Sequence, residues 1–118
     1  MSAKREITIA GHFEGRADVV KATYLAILAA ARKLGPVREE AKKTSIHLAR
    51  RTAFAGIATR RAGLILTLKS TVDIQSPRVR RREQASANRW YLEVELQDPS
   101  QIDAEIRTWL KSAYDLAD

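Results

Sequence analysis

The alternation of apolar and polar residues between positions 44 and 69 constrains the fold of this chain more than any other feature. In residues 63–69, three leucines lie at every second position, so an extended backbone places them on one face. Residues 45–49 and 54–59 alternate in the same way, and short turns rich in arginine or containing glycine separate the three segments. The pattern predicts three consecutive β-strands that are buried on one face.

Two amphipathic helices are predicted to cover that face. Residues 17–34 carry apolar side chains at three- and four-residue spacings, and the Gly-Pro pair at 35–36 ends this helix. A second helix is predicted to open at Asp98-Pro99-Ser100, where proline is tolerated in a first turn. Asp103 follows Ser100 at the spacing of a capping box, and an apolar stripe continues to the end of the chain.

The remaining segments complete an antiparallel sheet. Residues 90–96 alternate cleanly and predict a strand, residues 37–43 are expected to be extended, and residues 70–88 are expected to form a loop with one helical turn. Residues 1–10 are either a flexible lead or a short edge strand. The predicted fold is α+β, a two-layer sandwich in which an N-terminal and a C-terminal helix cover one face of an approximately five-stranded antiparallel sheet. Residues 1–118 are expected to form a single domain.

The other face of this sheet is predicted to stay open. It is too polar for a second core and is suited to a ligand or a second subunit. Lys69 on this face is expected to pair with Glu93 or Glu95 across the ladder, and His47 is expected to be simply exposed. The residues predicted on the open face are Ser45, His47, Ile65, Thr67, Lys69, Tyr91, Glu93 and Glu95.

Composition excludes several classes of protein. The chain has no cysteine, which excludes disulfides, thiolate zinc sites and cysteine nucleophiles and is typical of a cytoplasmic protein. No apolar run approaches the roughly 18 residues needed to cross a bilayer. We therefore expect a soluble cytoplasmic domain without a membrane partner.

The net charge of +7 is distributed unevenly along the chain. Residues 1–37 carry +3, residues 38–89 carry +9 and residues 90–118 carry −5. A basic sheet region of this kind could attract phosphate or another anion, or it could be no more than a solvated surface beside an acidic helix. Both interpretations remain open.

No motif predicts an enzyme, a metal site or a cofactor. His12 and His47 are the only histidines, and two histidines without a third ligand make a weak metal site. His12 with Glu14 could bind an anion or transfer a proton, or could simply dock the N-terminal segment on the core. Glu40 and Lys42 have a spacing used by metal-dependent nucleases, but no acidic partner lies on a convincing preceding strand.

Several short strings of the chain carry a family resemblance. They are His12-Phe13-Glu14-Gly15, Leu34-Gly35-Pro36-Val37, Lys43-Thr44, Phe54-Ala55-Gly56, Ser76-Pro77-Arg78 and residues 102–114. Together they resemble a bacterial family known only as domain of unknown function number 5655. The similarity covers residues 12–116 and implies a stand-alone or C-terminal cytoplasmic module with no established activity.

The chain is also similar, more distantly, to YdhG-like and frataxin-like sandwiches, although its first helix is too basic for an iron-binding acidic ridge. Members of the first family often carry a histidine where this chain has Leu92, which implies an altered site if that histidine belongs to one.

The sequence thus predicts a small basic binding domain rather than an enzyme. Its basic sheet region is expected to bind an anionic ligand or the phosphates of a nucleic acid. The alternative is a homodimer or another protein-interaction module that uses the open sheet face, and a nuclease or a frataxin-like metal chaperone is less favoured. The candidate anion-binding residues are His12, Lys43 and Arg78, which lie in the family-like strings, and Arg81, which belongs to the arginine run at 80–82.

Overall fold

A six-stranded antiparallel sheet with two helices packed on one face forms the computed structural model, which describes residues 6–118. The helices are α1 (Asp18–Arg32) and α2 (Ala104–Leu116). The strands are β1 (Arg38–Ala41), β2 (Ile46–Ala49), β3 (Ala53–Thr59), β4 (Leu64–Ser70), β5 (Val79–Ser86) and β6 (Arg89–Leu96), arranged in the order β1-β2-β3-β4-β6-β5. The predicted α+β sandwich is confirmed, with one strand more than expected.

The core lies between the sheet and the two helices. The three leucines of β4 are at most 2% exposed, and in register they face Leu92, Val94 and Leu96 of β6. Apolar side chains of α1 and α2, including Ile27 and Leu110, belong to the same cluster. The alternation in β4 and β6 therefore points toward the helical stripes as predicted. Within residues 6–118, neither helix is long and apolar enough to cross a membrane.

The prediction of a loop over residues 70–88 is wrong, because β5 lies within it and pairs with β6. Seven of the eight residues of β5 are exposed, so its sequence lacks the apolar alternation that identifies a half-buried strand. The strand forms because β6 offers an unpaired edge whose backbone groups need partners. β5 is consequently one edge of the sheet and carries the arginine run.

The second helix begins at Ala104, later than the predicted opening at Asp98-Pro99-Ser100. Asp98 instead caps a short 3₁₀ turn, Pro99–Gln101, by accepting a hydrogen bond from the Ser100 backbone at 2.8 Å. Asp103 is the N-cap of α2, and its carboxylate accepts from the Ile106 backbone at 3.1 Å. Ser100 therefore caps no helix.

The N-terminal lead docks on the core rather than forming an edge strand. Residues 1–5 lie outside the described residues, and Ile7–Ile9 forms no strand. A 3₁₀ turn at Ala10–Phe13 follows, with the Phe13 ring 5.3 Å from that of Tyr24. The backbone carbonyl of His12 accepts a hydrogen bond from the Thr59 hydroxyl at 2.7 Å. These contacts match the docking role considered for this segment.

Candidate ligand-binding site

A hollow of about 440 Å³ opens on the sheet face that the helices leave uncovered. We call it the open-face trough. Its volume is in the range of small-molecule sites, which is roughly 300–1,000 Å³. It crosses the three central antiparallel pairings of the sheet, so four strands contribute to it. The side chains or backbone lining it include those of Ser45, His47, Ala53, Gly56, Ala58, Thr67, Lys69 and Tyr91.

The trough exists because β3 presents small residues between taller neighbours. In register, Gly56 lies between His47 of β2 and Thr67 of β4. A Cβ atom built on Gly56 would meet the His47 ring at 3.7 Å and the Thr67 Cβ at 4.0 Å, both ordinary contacts. Ala58, two residues further on, shares that face. The floor of the trough is therefore backbone and methyl groups.

An irregularity in β3 directs its one aromatic side chain into the core, although Phe54 is also among the residues that line the trough. Leu48 pairs with Ala55 and Ala49 with Ala53, so Phe54 has no partner in the β2–β3 ladder. Phe54 is 1% exposed and its ring packs edge-on against Tyr114 of α2, 5.3 Å away. Ala53 lines the trough, whereas the bulky side chain serves the core.

Lys69 provides a cation in the trough. It lies opposite Tyr91, and desolvation by the surrounding protein lowers the pKa of Lys69, with the nearby charge of Arg89 acting in the same direction. The predicted pair with Glu93 or Glu95 is wrong, because Glu93 lies opposite Thr67 and Glu95 pairs with Arg80 at 3.7 Å. Among residues 6–118, no carboxylate lies within 4.0 Å of the Lys69 ammonium.

Arg89 places a second cation beside Lys69. It precedes Tyr91 by two residues on β6 and so shares the open face. Its Nε is buried and has no hydrogen-bond acceptor within the described part of the chain. A buried N–H without an acceptor costs free energy, and Arg89 itself is not among the residues that line the trough.

The four candidate residues predicted from the sequence do not form one site, although two of them share a hollow. His12 and Lys43 lie beside a second hollow of about 310 Å³ near the N-terminal turn, where His12 Nε2 is 2.8 Å from the carbonyl oxygen of Lys42. Arg81 is exposed on β5, opposite Glu93. Arg78 directly precedes β5, and its side chain contacts the beginning of α2.

Arg78 clamps the beginning of α2. One terminal nitrogen donates to both carboxylate oxygens of Asp103 at 3.0 Å and to Glu105 at 3.1 Å, and the other donates to the Gln101 carbonyl at 2.9 Å. Partial burial opposes its charge, but these bonds outweigh that effect and raise the pKa of Arg78. With its donors engaged by two carboxylates, Arg78 acts as a structural residue.

The other groups considered for catalysis or metal binding fall into ordinary roles. His47, expected to be exposed, is half-buried in the trough. Glu40 of β1 forms ion pairs with Arg38 at 3.1 Å and Lys42 at 3.8 Å. In the stretch from residue 6 to residue 118, no three histidine or acidic side chains gather as a metal site would need.

Residues 9–117 match the family described as "Domain of unknown function (DUF5655)". The chain belongs to this family. No significant match was found among curated proteins or among solved structures. In this DUF5655 domain, Leu92 is 1% exposed and belongs to the helix-covered side of β6. A histidine at that position would therefore face the core and not the trough.

Sequence reasoning missed the floor of the trough and the role of Arg89 in this DUF5655 domain. Gly56 and Ala58 lie at alternate positions of a predicted strand, and two small residues on one face are the signal of a hollow there. Arg89 stood out only as one of many basic residues. Its proximity to Lys69 depends on the pairing of β4 with β6.

Proposed function

We propose that this DUF5655 domain binds an anionic ligand in the open-face trough, with Lys69 and Arg89 as the cationic groups. The observation that carries the proposal is the placement of Lys69: it lines a small-molecule-sized hollow, is partly desolvated and has Arg89 as its charged neighbour. The absence of cysteine also leads us to propose that the domain acts in the bacterial cytoplasm.

The electrostatics of the trough favour an anion. Partial desolvation and the nearby positive charge of Arg89 both oppose the protonated state of Lys69. An anion bound at Lys69 offsets this repulsion with attraction. Binding is therefore expected to raise the pKa of Lys69.

The proposal is tested by NMR titration of the ¹⁵N-labelled domain with sodium acetate, phosphate and benzoate at constant ionic strength. At least one anion should shift the amide signals of residues near Gly56, Thr67 and Tyr91. Lys69→Met should reduce the affinity for that anion about tenfold or more, because a hydrogen bond to a charged group contributes about 1.5–3 kcal/mol. Lys21→Met is the matched control, since Lys21 is exposed on α1.

Equal affinities of the wild type and Lys69→Met for every anion would contradict the proposal. So would shifts that map to the second hollow around His12 and Lys43, which would restore the site expected from the sequence.

A homodimer through the open face is less well supported. The large apolar side chains that are exposed in residues 6–118 are Ile7, Leu25 and Val72, and none of them lines the trough. A stable dimer interface needs a more apolar centre than this face offers. Sedimentation velocity should therefore give a monomer at both low and high salt.

A further inference from the structure

Ion pairs flank the trough on both sides of the open face. At one side, Glu40 is paired with Arg38 and Lys42. At the other, Glu95 is paired with Arg80. Within residues 6–118, these pairs place carboxylates on both sides of the trough, which disfavours the continuous positive track that a nucleic-acid backbone needs.

The trough has a charged border and an apolar floor. Glu93 lies between Thr67 and Arg81 in register, so a carboxylate stands next to the site on the β6 side. Between this border and β2, the floor consists of Ala53, Gly56 and Ala58. A long polyanion would meet these border carboxylates, whereas a single charged group held at Lys69 would avoid them.

The floor also favours a flat ligand over a compact inorganic ion. Pleated backbone and methyl groups form a shallow surface, and Tyr91, which lies opposite Lys69 in register, also lines it. A ligand that consists only of an anionic group would leave this apolar floor exposed to water. A planar apolar body would cover the floor and gain from removing it from water.

We infer that the ligand is a small, flat organic anion of the aromatic carboxylate class, with its carboxylate at Lys69 and its ring on the floor formed by Ala53, Gly56 and Ala58. This inference rests on the proposed function and adds the chemical class of the ligand. The nearby charge of Arg89, which does not itself line the trough, adds to the positive potential that favours a carboxylate at Lys69. His47 and Ser45, which line the β2 side, are available to bond a polar substituent on the ring.

The experiment compares four probes by titration calorimetry at constant ionic strength: benzoate, acetate, inorganic phosphate and a short single-stranded oligonucleotide. Benzoate should bind at least about tenfold more tightly than acetate, since even one methylene in an apolar pocket changes affinity by about tenfold or more. Lys69→Met should weaken the binding of both carboxylates, benzoate and acetate. Gly56→Val should fill the floor and reduce the affinity for benzoate to about that for acetate.

Gly56→Val is expected to fold. Gly56 does not have a positive φ, and an added Cβ meets only ordinary contacts. Valine is also a favourable strand residue. Ala22→Val, which adds similar bulk at an exposed position of α1, is the matched control and should leave the affinity for benzoate unchanged.

The possible failures are distinguishable. If acetate and benzoate bind equally and both depend on Lys69, the ligand class is wrong while the proposed anion site stands. Tightest binding of phosphate or of the oligonucleotide likewise refutes the aromatic class. If no probe depends on Lys69, the anion site fails together with its ligand class.

Discussion

Replacing Gly35 by alanine is expected to destabilise the domain by about 2–4 kcal/mol. Gly35 follows α1 with φ 151°, a conformation that residues with side chains rarely adopt and that costs them about 1–3 kcal/mol. A Cβ at this position would also overlap the hydroxyl of Tyr114 on α2. That hydroxyl donates to the Pro36 carbonyl at 3.0 Å, and loss of the bond adds about 0.5–1.5 kcal/mol.

Two control variants separate the backbone cost from the contact with α2. Gly15 also has a positive φ, 71°, but nothing lies within 4 Å of an added Cβ. Gly15→Ala should therefore cost only the backbone term, about 1–2 kcal/mol. Tyr114→Phe removes the hydrogen bond to Pro36 and leaves Gly35 unchanged, so it should cost about 0.5–1.5 kcal/mol.

The assay is urea denaturation followed by circular dichroism at 25 °C, with thermal unfolding alongside. For a domain of this size, each kcal/mol corresponds to roughly 4 °C in Tm, so Gly35→Ala should lower Tm by roughly 8–16 °C. A loss no greater than that of Gly15→Ala would refute the contact with Tyr114. A loss below about 0.5 kcal/mol would refute the whole argument, including the conformational cost.

Two further predictions concern the start of α2. Arg78→Met should lower stability by about 1–2 kcal/mol, because it releases two carboxylates that are partly exposed. Titration of this variant with benzoate should give an unchanged affinity. A weaker affinity would show that Arg78 belongs to the binding site. Bonds from the Ile106 backbone and from Arg78 lower the pKa of Asp103, so its contribution to stability is complete above its unfolded pKa of about 3.9 and is lost as the pH falls through the lower folded value. The Tm difference between the wild type and Asp103→Asn should accordingly shrink when scans at pH 7 are compared with scans at pH 3, and a constant difference would contradict this.

The elements with a clear period are those that the sequence predicted well. Residues 64–68 and 90–96 alternate with period two, and residues 18–32 repeat at helical spacing, because each must bury one face against the same core. The order of apolar and polar residues within each segment therefore indicates which face is buried. The class of fold, the face that the helices cover and the polar character of the opposite face therefore follow from the chain alone.

Tertiary structure decided the features that depend on pairing between distant segments. β5 has no apolar alternation, and only the unpaired edge of β6 makes it a strand. The site depends on the same kind of information: the Phe54 ring packs in the core where the β2–β3 register shifts, and Arg89 lies beside Lys69 because β4 pairs with β6. Register is a property of two strands together. The backbone hydrogen bonds of a ladder are the same for every residue type, so the choice of register depends on the turns and on which face of each strand is buried. The sequence of one segment therefore does not encode it.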